Sequence, residues 1–489
     1  MPLCYPIAIY YLSMIYSDEE FKDEQLSLQL LIKAADLGFP EAQRKLSIVY
    51  SDGDGIEKNT EKANILLEKS ATAGDEVAQF LIAQNYYFGD NSYPQNYNLA
   101  FGWAKKSAEQ GNSDAQNLLS TMYEKGQGTA KDQAEAVRLT QLSADQDNKF
   151  AQNNMGNIYA FGKGLPQDDK KAFEWYLKSA MQNYKIAQFN IATIYNDGLG
   201  IEKNTTEALE WAKKSAEQGF PNAQTLLGNI YCAMRNYDLG LSWYMKAAEQ
   251  NDAIALNNIG DMYERGEGVP KDLNEANSYY LKATTAEPDN PLYTSSYWTT
   301  KIQVSDSQLD KEHALKIIKD EASSGSKEAQ WRLFQIYTDG LYSAANENEA
   351  FHWLSQAADR GQHCALITIG DALLNGRGTN RDVVRAIQWY EKAISLGNAD
   401  GMYNLGVIYL EGKYTTPDIP RGLKYLEDGA QAMNLPSLVY LSKIYGDGAF
   451  VKRDPVKSNR YLQTAADNGS EEAIRKIEET TGAILSCKI

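Results

Sequence analysis

The sequence predicts an all-α solenoid of about twelve helix–loop–helix repeats. Three observations predict it. A phrase of Ala-Gln, a small residue, Tyr, Gly-x-Gly, Ala, Trp, Ala and Gly returns about every 36 residues. Its opening Ala stands at Ala42, Ala78, Ala115, Ala151, Ala187, Ala223, Ala255, Ala329 and Ala365, and the register continues on Gly401, Ser437 and Ala473. Inside each phrase two runs of helical apolar spacing flank a pair of glycines.

Residues 151–187 justify the elements in order. Ala151, Met155, Gly156, Ile158 and Tyr159 form one apolar helix face. Gly162 and Gly164 end that helix, because glycine tolerates the positive φ of a helix terminus. Pro166 and the acidic residues after it mark a second helix start. Ala172, Trp175, Tyr176 and Ala180 then form the second apolar face. The fifth residue after the opening Ala is small in most units (Ser47, Ala83, Ser120, Gly156, Ala192, Gly228, Gly260, Gly370, Gly406, Ser442), which lets two helices approach closely. Phe334 breaks that rule and is expected to push its neighbours apart or to sit where the stack is loosened. Trp103, Trp175, Trp211, Trp243, Trp353 and Trp389 share one place on the second helix, so six of the eight tryptophans are assigned to packing.

These residues resemble the Sel-1-like repeat family, a branch of the tetratricopeptide-like α-solenoids. The stretches 198–219 (GLGIEKNTTEALEWAKKSAEQG) and 266–283 (GEGVPKDLNEANSYYLKA) carry the resemblance most fully, and it runs from about residue 8 to 480. It implies a right-handed superhelix with first helices inside and second helices outside. It also implies a scaffold or adaptor; some family members look like immunity proteins that neutralise secreted toxins.

The repeat departs from itself in places. The unit opened by Ala223 lacks Gly-x-Gly and is expected to join its helices by a shorter turn. Residues 284–312 lack the phrase and carry Pro288 and Pro291. They suggest either a junction or a drifted unit. The expected organisation is therefore a block at 8–286, a degenerate repeat or junction at 287–326, a second block at 327–472, and a capping helix with tail at 473–489. The loop 413–422 holds two prolines in place of Gly-x-Gly.

The charge of −17 argues against nucleic-acid or anionic-membrane partners; it either keeps a long chain in solution or favours a basic partner. Cys4, Cys232, Cys364 and Cys487 show no pairing pattern, which fits a reducing compartment. No leader pattern and no run of about 18 apolar residues occurs. A cytoplasmic location is expected for the chain as it stands, and a periplasmic or secreted one if an upstream leader has been removed. The ending Cys487-Lys488-Ile489 is one residue short of a prenylation box.

Catalytic chemistry finds little footing. The three histidines, His313, His352 and His363, lack Cys or acid partners at ligand spacing, and no Gly-x-Ser-x-Gly elbow occurs. The glycine pairs follow a helix, whereas a dinucleotide loop precedes one. No enzyme activity, no cofactor and no metal is expected.

A protein or peptide partner is expected instead, on positions that vary between units while remaining exposed. Positions two, six and nine after the opening Ala share one stripe of the first helix, expected to face a concave groove. On it the expected partner-binding residues are Phe80, Gln84, Tyr87, Asn117, Asn153, Asn157, Phe189, Asn229, Asn257, Trp331, Gln335 and Tyr403. Rings supply anchors and amides supply hydrogen bonds. Trp331 stands out as the tryptophan inside a well-formed unit yet off the packing position. The function expected is a scaffold, with an inhibitor or immunity protein as a specific version. The alternative is a regulatory subunit of an envelope- or peptidoglycan-associated enzyme.

Overall fold

A computed structural model describes residues 4–19, 21–89 and 92–486. Among them are 27 helices and no strand. Within each compact unit consecutive helices pair as helix–loop–helix repeats, Lys149–Phe161 with Asp169–Met181 for example, and neighbouring pairs pack on one another. Contacts divide the chain into two compact units, Met1–Ala223 and Gln224–Ile489, with the division inside the helix Pro221–Ala233. The side chain of Cys4 and the ending Cys487-Lys488-Ile489 lie outside the described residues. Cys232 and Cys364 are free thiols. No described helix is long and apolar enough to cross a membrane.

Local chemistry sets the helix ends. Asn148, whose side chain accepts from the Ala151 N–H, caps the helix Lys149–Phe161, and Gly162 ends it at φ 65°. Asp168 caps the second helix, Asp169–Met181. The second glycine of the turn answers a different need. A Cβ on Gly378 would collide with the Glu347 carbonyl oxygen, so the loop of one repeat can rest on the second helix of the preceding repeat only as glycine.

In six repeats the Ala-Gln dipeptide fastens the repeat to the one before it. Gln43, Gln79, Gln116, Gln152 and Gln188 are buried, and each Nε2 donates to a carbonyl of the preceding second helix (Ala35, Ala71, Ala108, Ala144, Ala180) at 3.0–3.4 Å. In the second unit Gln330 repeats the bond to Ala322 at 2.9 Å. Removing one such donor strands a buried carbonyl, a cost of about 1–3 kcal/mol.

Residues 284–312 form ordered helix. Pro291–Val304 and Gln308–Ser324 make a complete helix pair. Pro291 stands in the first turn, where its missing N–H leaves no bond unmade, and Asn290 caps the helix at Leu292. The shortened turn after the helix Pro221–Ala233 is Met234-Arg235-Asn236, with Arg235 at φ 59°. At the end of the chain a single helix, Glu471–Ser486, closes the stack.

Candidate interaction surface

The expected stripe divides by burial. In the first unit Phe80, Gln84, Asn117, Asn157 and Phe189 are half-buried, whereas Tyr87 and Asn153 are buried. In the second unit Asn229 is exposed, Trp331, Gln335 and Tyr403 are half-buried, and Asn257 is buried. The expected exposure of position two therefore fails at Asn153 and Asn257, each 5% exposed. The reason is the tight spacing of successive first helices, which bond to one another there. Asn190 donates to Asn153 at 3.0 Å, Asn154 to Asn117 at 2.9 Å, and Asn258 to Asn229 at 3.0 Å. Tyr87 spends its hydroxyl on Gln127 at 2.8 Å.

Position six has a second use that sequence reading missed. In four of the five units with glycine at position five, a tyrosine ring from the second helix occupies the space: Tyr176 over Gly156, Tyr244 over Gly228, Tyr280 over Gly260, Tyr390 over Gly370; at Gly406 it is Leu426. Each hydroxyl then reaches the position-six side chain: Tyr176 to Asn157 at 2.7 Å, Tyr244 to Asn229 at 2.6 Å, Tyr280 to Asp261 at 2.5 Å, Tyr390 to Asp371 at 2.6 Å. Burial pushes all four hydroxyls above the ordinary tyrosine range, so they remain protonated donors. A signal was legible: Asn or Asp occupies position six only in the units that carry this tyrosine.

The second unit gathers a charged cluster that the expected residues Asn257, Trp331 and Gln335 border. Tyr280 sits 2.5 Å from Asp261 and 2.6 Å from Glu264. One hydroxyl hydrogen cannot serve two ionised carboxylates, so the arrangement is satisfied when one carboxylate holds a proton. Burial raises Asp261 above the usual carboxylate range, against the opposing pull of the Tyr280 hydroxyl and Arg332. Arg332 lies 3.8 Å from Glu264 and donates to Gln335 at 3.2 Å and to Ser296 at 2.9 Å. The small buried side chains Ser295, Ser296, Thr299 and Thr300 of the helix Pro291–Val304 leave room for this crossing. Asn257 Oδ1 is buried in the same stripe without a hydrogen-bond partner.

Equivalent places in two repeats form clefts of different character. In the first unit a cleft of about 90 Å³ is lined by Ser120, Thr121, Glu124, Gln133, Asn157 and Lys163 among others, and Lys163 pairs with Glu124 at 3.4 Å. In the second unit a cavity of about 240 Å³ lies between the helices Lys327–Asp339, Glu347–Asp359 and His363–Asn375. Phe334, Phe351 and Leu354 supply its apolar wall, with Thr338, Asp371 and Arg377 at its edge. The cavity lies beside Phe334, while Leu333 and Ile336 of the same helix remain fully buried. Trp331 packs against Phe334 with ring centroids 4.9 Å apart and the planes tilted by 37°.

Two of the three histidines make ring contacts. His313 lies 5.5 Å from the Trp298 ring and His352 5.1 Å from Trp353. Among the described residues no group of three His, Cys, Asp or Glu side chains stands close enough to hold a metal.

The Sel1 repeat matches residues 6–39, 40–75, 77–112, 113–148, 149–184, 185–220, 221–252, 253–287, 327–362, 365–398, 399–432 and 436–470. The chain belongs to the Sel1 repeat family. The pair at 291–324 falls in the gap between matches. Among solved structures, a protective antigen of uropathogenic Escherichia coli with an SLR fold is 27% identical, with a TM-score of 0.56 over 92% of this chain and 97% of that one. The chitin synthase regulator SKT5 of Saccharomyces cerevisiae is 30% identical over 135 residues, 26% of this chain and 19% of that protein. The ERAD-associated E3 ubiquitin-protein ligase component HRD3 of Candida glabrata is 51% identical over 53 residues, 11% of this chain and 6% of that protein. The match thus spans less than a fifth of either relative. Sel1 repeat proteins generally mediate protein–protein interaction and are typically non-catalytic scaffolds.

Proposed function

We propose that this chain is a non-enzymatic scaffold or adaptor that holds a protein or peptide partner on the first-helix face. The observation that carries the reading is the surface around Trp331. A half-buried indole there packs against Phe334, next to the Arg332 cluster and an apolar cavity. Aromatic and arginine side chains set beside an apolar recess are the usual anchors of protein recognition. In the first unit Phe189, which packs on Phe220 at 5.4 Å, offers a lesser anchor on the same stripe. An inhibitor that wraps a toxin would use the same face.

The test is capture of a partner identified by affinity purification of the whole chain. Trp331→Ala combined with Phe189→Ala is expected to weaken capture at least tenfold, with helix content by circular dichroism unchanged. Capture that survives both changes would overturn the reading. A second reading, a regulatory subunit of an envelope- or peptidoglycan-associated enzyme, is favoured by one relative being a chitin synthase regulator. It predicts that the partner is an enzyme whose turnover changes on adding this chain.

A further inference from the structure

The two equivalent clefts differ in a way that specifies a ligand. In the first unit, position nine of the first helix is Glu124, and the residue between the two glycines of the next loop is Lys163. They form an ion pair across the mouth of the cleft at 3.4 Å. In the second unit the corresponding residues are Thr338 and Arg377. The cation is retained and its carboxylate is gone. Arg377 is exposed and makes no ion pair among the described residues; of the two acids that line the same cavity, Asp371 feels its charge but already accepts the Tyr390 hydroxyl, and Glu347 forms no ion pair with it. The cleft behind it has grown from about 90 to about 240 Å³, and its wall has changed from hydroxyls and amides to Phe334, Phe351 and Leu354.

The cation at the mouth of this cleft is arginine where the first unit has lysine, and its planar fork matches a carboxylate.

We propose that the cavity takes a bulky apolar side chain of a partner segment, and that an acidic residue next to it in that segment pairs with Arg377 in the place Glu124 holds for Lys163. The volume admits a leucine or phenylalanine side chain, which contributes about 1.5–3 kcal/mol on full burial. The charge-assisted pair sets the specificity. This inference rests on the scaffold reading above and names the chemistry of one part of its surface.

The experiment uses the full-length protein with methyl-labelled leucine and alanine, and follows Leu354 and Ala350 by NMR. The probes are acetyl-Phe-Glu-amide, acetyl-Phe-Gln-amide, acetyl-Phe-Lys-amide and acetyl-Ala-Glu-amide. The expected result is saturable shifts with the Phe-Glu probe, and binding weaker by about tenfold for Phe-Lys and for Ala-Glu. Thr338→Glu supplies the missing carboxylate from within and is expected to weaken the Phe-Glu probe at least fivefold more than the isosteric Thr338→Gln does. Arg377→Gln is expected to bring the Phe-Glu and Phe-Gln probes within twofold of each other. Thr338 and Arg377 are both exposed, so these variants leave the core intact. Three results would overturn the inference: no shift with any Phe probe, equal or tighter binding of Phe-Lys, or indifference of the Phe-Glu probe to both Thr338→Glu and Arg377→Gln. If these results appear while Trp331→Ala still abolishes partner capture, the scaffold reading stands and the cavity assignment alone falls.

Discussion

The repeats 149–184 and 327–362 fill the same space between their helices in opposite ways. In the first, the ring comes from the second helix: Tyr176 lies against Gly156 and ties its hydroxyl to Asn157. In the second, the ring comes from the first helix: Phe334 occupies the glycine's place, and Leu354 stands where the tyrosine would be. The exchange has consequences beyond volume. A phenylalanine has no hydroxyl to satisfy, so Gln335 is released from the duty Asn157 performs and accepts instead from Arg332. The fit is also poorer, and the cavity beside Phe334 is the result. A solenoid can keep its backbone period while one repeat trades packing for an accessible recess.

The largest effect should come from putting a side chain where a tyrosine ring lies. A Cβ on Gly370 would sit 2.6 Å from Tyr390 Cε1, and the ring is fully buried. Gly370→Val is expected to cost about 3 kcal/mol in urea denaturation followed by circular dichroism. Recasting the site as the other solution, Gly370→Phe with Tyr390→Leu and Asp371→Gln, is expected to recover more than half of that loss. A triple variant no more stable than Gly370→Val would show that the two arrangements are not interchangeable.

Next in size is the hydroxyl itself. Tyr390→Phe keeps the ring and leaves Asp371 without its donor, and about 1–2 kcal/mol should be lost. The same hydroxyl removal has no counterpart at Leu354, so the 327–362 repeat should be insensitive to changes at Gln335 that preserve its bond to Arg332.

This pairing also marks how far the sequence could be read. Helix pairs, the small fifth position and the tryptophan register follow from period and spacing, because backbone geometry repeats wherever they repeat. Asn157, Asn229, Asp261 and Asp371 looked like groove residues because they are polar and vary between units. Their variation instead follows the tyrosine on the second helix, a coupling visible only when the two helices are read together. Asn153 was expected to be exposed for a related reason: a polar residue at a helix–helix contact can be satisfied by its neighbour, as Asn190 satisfies Asn153, and a helical stripe does not reveal how near the next helix comes; Asn257 is buried as well, with its Oδ1 left unpaired. The stretch 284–312 leaves a junction and a drifted unit both open from sequence, because the phrase is missing there; in the structure Pro291 stands in the first turn of a helix, where proline is well tolerated.

A pH measurement separates the tyrosine-filled repeats from one another. Tyr176 faces a neutral amide, whereas Tyr280 faces Asp261 and Glu264. Burial raises Asp261 in the folded state. A raised carboxylate binds its proton more tightly folded than unfolded, so stability falls as pH rises from the ordinary aspartate range through the raised folded value. Below that window both states are protonated and Asp261 contributes no difference. Asp261→Asn keeps an acceptor for Tyr280 and removes the charge. Its stability relative to the parent should increase with pH across the window and then level off. A difference that does not change with pH would show that Asp261 is not the group that holds the proton.

The smallest expected effect lies on the outer face of the same two repeats. Lys178 stands 3.8 Å above the Trp175 ring, and Lys106, Lys214, Lys246 and Lys392 cover Trp103, Trp211, Trp243 and Trp389 in the same way. At 327–362 the corresponding residue is Gln356, which lies 2.8 Å from the His352 ring and whose Oε1 accepts from Gln330. An exposed cation over an indole contributes about 0.5–1 kcal/mol. Lys178→Gln should therefore cost about 0.5 kcal/mol, less at high salt than at low. The reverse change, Gln356→Lys, should bring no gain, because a lysine over Trp353 gives up the acceptor that Gln330 uses. A stabilising Gln356→Lys would mean that this repeat departs from its neighbours only at Phe334, and that its outer face can adopt the common arrangement without cost to the glutamine that fastens it to the stack.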